Sequence, residues 1–79
     1  MTPRVLIVDD DPLIRDLLQA YLSQEGYDVH CADTAERAEA LLASQDVDLV
    51  LLDIRLPGKD GLTLTRELRV RSEVGIILV

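Results

Sequence analysis

Three apolar runs of strand length, Val5 to Val8, Leu49 to Leu52 and Val74 to Val79, punctuate the chain, together with a weaker, partly alternating segment, Tyr27 to Ala32. An unbroken apolar run too short for a helix reads as a strand covered on both faces, as in a parallel sheet, whereas alternation reads as a strand nearer an edge. Between these runs the spacing changes to three and four residues. Leu13, Ile14, Leu17, Leu18, Tyr21 and Leu22 form the broad apolar face of a helix through Gln24. Asp11 is its expected N-cap, with Pro12 at the first helical position, and Gly26 its expected stop. Asp33 and Glu36 have the spacing of a capping box for a second helix, which runs to about Ser44 and turns Ala35, Ala38, Leu41 and Leu42 inward. A third helix spans about Leu62 to Arg71, with Leu64 and Leu68 one turn apart. Strand and helix alternate strictly, β-α-β-α-β-α-β. Short right-handed crossovers then give a parallel sheet flanked by helices.

Composition narrows the class. The 79 residues allow one small domain, and the 48% apolar content, without Phe or Trp, calls for an aliphatic core. The net charge of −7 disfavours direct contact with nucleic acid and suits a cation or a basic partner. Cys31 is the only cysteine, so no internal disulfide forms. No apolar run is long enough to span a bilayer and the N-terminus lacks a signal-peptide pattern, so a cytoplasmic protein without membrane contact is expected.

Carboxylates mark where the strands end. Val5 to Val8 stops at Asp9, Asp10 and Asp11, and Leu49 to Leu52 stops at Asp53. A carboxylate inside a buried strand carries a large desolvation cost, so the chain should leave the sheet at these points, on the edge where open α/β sheets bind ligands. Pro57, Gly58 and Gly61 then fix a turn. If the first and third strands are neighbours, Asp9 or Asp10 faces Asp53 across roughly 4.8 Å of sheet spacing. Like charges so placed call for a cation, and Mg²⁺, held by one or two carboxylates plus waters and a phosphate, is the natural candidate. Taken alone, the Asp triplet reads as a cap with solvated neighbours and Asp53 as an Asx turn. The pair together is harder to explain by caps.

Val8-Asp9-Asp10-Asp11-Pro12, with Leu51-Leu52-Asp53-Ile54-Arg55-Leu56-Pro57-Gly58-Lys59-Asp60-Gly61, resembles the receiver domain of two-component response regulators. The run from Gly61 to Val79 is similar to receivers of the winged-helix, OmpR/TorR-like type. The resemblance implies a flavodoxin-like, doubly wound fold and a phosphoacceptor, Asp53, supplied by a histidine kinase. It also implies Mg²⁺ bound by Asp10 and Asp53, by Asp9 through water and by the backbone carbonyl of Arg55, with Pro57 and Gly61 shaping the loop. It implies no enzyme beyond self-phosphorylation from a phosphodonor and self-dephosphorylation, and an output domain that binds DNA and is absent from these residues. A carboxylate attacks a phosphoryl group poorly unless a metal offsets the charge and holds the groups in line.

Receivers of this family carry five strands, a Ser or Thr just past the fourth and a Lys past the fifth. This chain stops at Val79, and its only lysine, Lys59, lies in the turn after Asp53. The expectation is therefore an N-terminal part of a receiver, truncated after the fourth strand and lacking the last helix-strand-helix, with impaired switching. Uncovered apolar residues on the sheet and first helix, and an open fourth strand, predict a homodimer through that edge or by segment exchange.

Two other readings compete. Asp9-x-Asp11 after an apolar strand is also similar to haloacid-dehalogenase-like phosphatases, where the first Asp would be the nucleophile and the second the general acid; Leu13 and the immediate helix at Pro12 depart from that pattern. A non-catalytic scaffold, a pseudo-receiver, is the third class. His30 reads as a surface or part-buried residue, Cys31 as a small core residue, Arg66, Arg69 and Arg71 as a solvated helix face, and Tyr21 and Tyr27 as packing around the end of the first helix.

Overall fold

A computed structural model of the chain describes residues 2–56, 60–71 and 74–79. Seven elements follow the predicted order: β1 (Arg4–Val8), α1 (Pro12–Gln24), β2 (Asp28–Ala32), α2 (Ala35–Ser44), β3 (Leu49–Leu52), α3 (Gly61–Arg71) and β4 (Gly75–Leu78). The strands form one parallel sheet in the order β2-β1-β3-β4. β1 and β3 are therefore central neighbours, with Val5 opposite Leu49 and Val8 opposite Leu52.

Local chemistry sets the helix limits. Asp11 lies in extended backbone and its Oδ1 accepts the Leu13 N–H at 2.9 Å, with Pro12 behind it, as the sequence predicts. At the other end of α1 the Tyr27 N–H reaches the Leu22 carbonyl and the Gly26 N–H the Ser23 carbonyl, the paired bonds of a Schellman motif. Gly26 takes φ +97°, the left-handed region that favours glycine, so Tyr27 belongs to this cap and β2 starts one residue later than expected. α2 corrects the predicted capping box: the cap is Thr34, whose Oγ1 accepts the Arg37 N–H at 3.1 Å, not Asp33. Asp33 instead faces the Arg37 guanidinium at 3.4 Å. Two adjacent residues can each cap a helix, and the hydroxyl one position closer takes the bond.

Pleating divides the side chains between two faces. Leu6, Val8, Ala32, Val50 and Leu52 turn to one side, where Ala35 and Ala38 of α2, Leu64 and Leu68 of α3, and Leu56 and Val74 close the main core. Leu41 and Leu42 pack at its margin. Val5 and Ile7 turn to the other face and are also fully buried. α1 runs along β1 and β2, and none of its residues is fully buried. Leu13, Leu17 and Tyr21 stay more than half exposed, and on β4 Ile77 is 49% exposed. Tyr21 therefore does not pack around the helix end as expected, while Tyr27, in the cap itself, is 40% exposed; Cys31 is half-buried rather than in the core, its Sγ 3.6 Å from Gln19 Oε1.

Polar groups gather at the amino ends of the strands. Arg4 Nε donates to Asp28 Oδ2 at 3.0 Å, and the Arg4 N–H donates to Asp48 Oδ2 at 2.8 Å. Arg4, and then His30, whose Nε2 lies 3.3 Å from Asp28 Oδ1, hold the Asp28 carboxyl below the usual carboxylate range. This network accounts for the half-buried His30, whose side chain turns toward Asp28 and away from the acidic residues at the carboxyl ends of the strands.

Candidate phosphoacceptor and metal site

Neighbouring strands deliver the acidic residues to one rim. The Asp9 N–H continues the β1–β2 ladder to the Ala32 carbonyl at 3.1 Å, and the Asp53 N–H continues the β1–β3 ladder to the Val8 carbonyl at 2.8 Å. Asp9 and Asp53 thus leave the sheet on adjacent strands, just past the paired Val8 and Leu52. Each then makes the same local turn. Asp9 Oδ1 accepts the Asp11 N–H at 2.9 Å, and Asp53 Oδ1 accepts the Arg55 N–H at 2.9 Å. The cap and Asx-turn readings of the sequence are both correct, and each turn engages Oδ1, with no bond to the second carboxylate oxygen among the described residues.

Asp9, Asp10 and Asp53 each bring a carboxylate oxygen within 4.8 Å of the others. Burial is graded across them: Asp9 is buried, Asp53 half-buried and Asp10 exposed. Burial pushes the Asp9 carboxyl above its ordinary value; the bond from the Asp11 amide opposes this, while the charges of Asp53, Asp10 and Asp11 add to it. Three hard oxygen donors that repel one another suit a small divalent cation in chemistry and charge.

An open cleft of about 690 Å³ surrounds these carboxylates, lined by Asp9, Asp10, Asp11, Pro12, Ile14, Asp53, Arg55 and Val79. A separate, more enclosed cavity of about 290 Å³ lies between the carboxyl ends of α2 and α3, away from the acidic rim. Gly61 packs where no side chain fits. A Cβ there would lie 2.6 Å from the Asp53 carbonyl oxygen and 2.7 Å from the Ile54 Cα, while the Gly61 N–H donates to the Ile54 carbonyl at 3.2 Å. Asp60 Oδ1 accepts the Thr63 N–H at 2.8 Å, and that bond holds the Asp60 carboxyl below the usual range. Pro57 lies outside the described residues. Arg66 and Arg69 are exposed, as expected of a solvated face.

A family model described as the response regulator receiver domain matches residues 5–79. The chain belongs to the response regulator receiver family. Among curated relatives, the receiver is similar to the transcriptional regulatory protein AruR of Pseudomonas aeruginosa, 76% identical over the whole of this chain and 34% of AruR. It is also similar to TorR, the regulatory protein of the torCAD operon in Escherichia coli, at 48% identity over the whole chain and 34% of TorR. The receiver thus spans about a third of the length of these relatives, and both likenesses agree with the OmpR/TorR-like type expected from the sequence. Among solved structures, TrrA of Thermotoga maritima, in complex with Mg²⁺ and a beryllium fluoride, is 42% identical with a TM-score of 0.93, over 98% of this chain and 68% of that one. TrrA bound to the histidine kinase ThkA matches with a TM-score of 0.92, at 42% identity, over 98% of this chain and 67% of that one. The flavodoxin-like, doubly wound reading of the sequence is correct over the four strands present.

Sequence reasoning missed Arg15. Its Nη1 donates to the Asp9 carbonyl at 2.8 Å from the first full turn of α1. A signal existed: an arginine four residues past the capping Asp11 sits over the strand-to-helix turn. Of the α3 arginines that the sequence singles out by their clustering, Arg66 and Arg69 are exposed, Arg69 Nη1 also donating to the Val74 carbonyl at 2.6 Å, and the Arg71 side chain lies outside the described residues.

Proposed function

We propose that this receiver takes a phosphoryl group from a histidine kinase onto Asp53, with Mg²⁺ held by Asp10 and Asp53, by Asp9 through water and by the Arg55 carbonyl. The observation that carries the reading is the convergence of three carboxylate oxygens within 4.8 Å at the carboxyl rim of two adjacent strands. Bound Mg²⁺ would offset the charge of the phosphoryl oxygens, which otherwise repel an attacking carboxylate. The chain's own groups do the rest. The Arg55 N–H holds Asp53 Oδ1, so the side chain presents Oδ2 toward the cleft side of the turn. That oxygen attacks phosphorus, an O–P bond forms as the N–P bond of a phosphohistidine breaks, and the departing imidazole keeps the electron pair. Acetyl phosphate would serve through breaking of its acyl O–P bond, and water would later hydrolyse the aspartyl phosphate. Gly61, packed against the Asp53 and Ile54 backbone, shapes the loop behind Asp53. Mg²⁺-bound TrrA and the ThkA complex are the supporting likenesses for the metal and for the kinase partner.

The test is to incubate the chain with Mg²⁺ and acetyl phosphate, to follow the added phosphoryl mass on the intact chain, and to map its site by peptide sequencing after borohydride has reduced the acyl phosphate to homoserine. We expect label at Asp53, dependent on Mg²⁺ and lost in Asp53→Asn. Label at Asp9 would instead support the phosphatase reading, and no label the scaffold or a broken site.

We also propose a cytoplasmic protein, with control of transcription residing in the remainder of the whole protein, and a homodimer of this chain. No helix among the described residues is long and apolar enough to cross a membrane. The dimer reading rests on the edge position of β4, where Ile77 and Val79 are exposed, and on the separately exposed Leu13 and Leu17 of α1, apolar groups that water meets at a cost. Light scattering should give twice the chain mass at high concentration, falling toward the monomer on dilution; a monomer throughout would sink it.

A further inference from the structure

We propose that Arg15 is a positioning residue for the metal-binding loop, holding the chain reversal that carries Asp10. This rests on the Mg²⁺ reading above. Residues 9 to 11 form a tight strand-to-helix connection tied at successive points. The Asp9 N–H bonds to Ala32, Asp9 Oδ1 accepts the Asp11 N–H, and Asp11 Oδ1 accepts the Leu13 N–H. The remaining polar group of the Asp9 backbone, its carbonyl, takes the half-buried Arg15 Nη1 at 2.8 Å. Asp10 is carried between these ties, exposed at the cleft. The Arg15 guanidinium makes no ion pair with any carboxylate among the described residues. Its directed contact is with backbone, and a charge-assisted bond to a carbonyl fixes the peptide plane between Asp9 and Asp10. That plane decides where the Asp10 side chain starts.

The geometry gives the inference an unusual sign. A cation beside a cation site opposes Mg²⁺ by charge alone, so removing Arg15 for its charge should tighten binding. Removing it as a positioning group should weaken binding, by about tenfold, because the partners that orient metal ligands typically contribute that much to affinity. The experiment titrates Mg²⁺ into the 79-residue chain and into its Arg15→Met, Arg15→Lys and Asp10→Ala variants, following the backbone amide resonances of residues 9 to 11 and 53. Thermal unfolding in EDTA runs alongside. We expect Arg15→Met to bind about tenfold more weakly, with the Asp11 amide displaced before metal is added, and Arg15→Lys, which keeps the charge but lacks the planar fork, to recover part of the loss. The EDTA unfolding temperature should move little. Equal or tighter binding in Arg15→Met would overturn the proposal. If Arg15→Met does not fold, wild-type affinity in Arg15→Lys together with an unmoved Asp11 amide would overturn it. Wild-type chain that binds no Mg²⁺, or Asp10→Ala that binds as well as wild type, would instead sink the metal reading beneath it.

Discussion

Gly61→Ala should lower the unfolding free energy by about 2 to 4 kcal/mol, a large share of what a domain this small possesses. The reason is contact rather than backbone conformation. The added methyl would lie 2.6 Å from the Asp53 carbonyl oxygen and 2.7 Å from the Ile54 Cα, and both are main-chain atoms held by ladder and turn bonds. The Asp53 N–H is tied to Val8 and the Ile54 N–H to the Val79 carbonyl, so neither can retreat without opening the sheet on one side. Relief has to come from α3 moving outward, which withdraws Leu64, fully buried one turn further on, from the core. Gly26→Ala is the control, because Gly26 has positive φ but nothing within 4 Å of where the new methyl would sit, so its cost is conformational, about 1 kcal/mol. Urea unfolding of both variants beside wild type checks this. Equal midpoints for the two would mean that the chain tolerates displacement of the loop behind Asp53. If Gly61→Ala folds at all, its Asp53 backbone amide should report the displaced turn.

The fold was readable because parallel sheets in small α/β domains have a strong signature. Val5 to Val8 and Leu49 to Leu52 are unbroken apolar runs of strand length, each closed by a carboxylate, and no helix of that length buries all its residues. Asp11-Pro12 marked the start of α1 because proline and a capping side chain impose the same boundary. Two adjacent capping candidates, Asp33 and Thr34, carry no such agreement, and the spacing to Glu36 points to the wrong one. Side-chain exposure on α1 was less legible. The repeat of Leu13, Leu17 and Tyr21 predicts an apolar stripe but not which part of it meets the sheet; Leu18 and Leu22 are half-buried while those three are exposed. At the site, the convergence of Asp9, Asp10 and Asp53 followed from adjacency of β1 and β3, a topological inference. The Arg15 contact did not, because it joins a side chain to a backbone carbonyl, a kind of bond that residue types alone do not announce.

Asp9→Asn should raise the stability of the metal-free chain at neutral pH while removing most of its response to Mg²⁺. Burial, less the bond from the Asp11 amide, and the charges of Asp53, Asp10 and Asp11 lift the Asp9 carboxyl above its ordinary value. A carboxyl raised on folding binds its proton more tightly in the folded chain, so its ionisation costs stability, and that cost appears as pH rises through and beyond the ordinary carboxylate range. Asparagine keeps the side-chain oxygen that accepts the Asp11 N–H at 2.9 Å and removes the charge. The gain should be on the order of 1 kcal/mol, the usual scale of a single substitution, which for a domain of this size shifts the unfolding temperature by about 4 to 8 °C. It should vanish in acid, where Asp9 of the wild type is already neutral. Mg²⁺ reverses the ranking. A ligand present at ten times its dissociation constant stabilises the chain that binds it by about 1.4 kcal/mol, and the wild type receives that increment while Asp9→Asn receives little of it. Calorimetric unfolding of both proteins in EDTA and in Mg²⁺, at neutral and acid pH, gives the four comparisons. A variant less stable than wild type in EDTA at neutral pH would mean that the buried Asp9 charge is already compensated inside the protein, and that the acidic rim does not need a cation to be at rest.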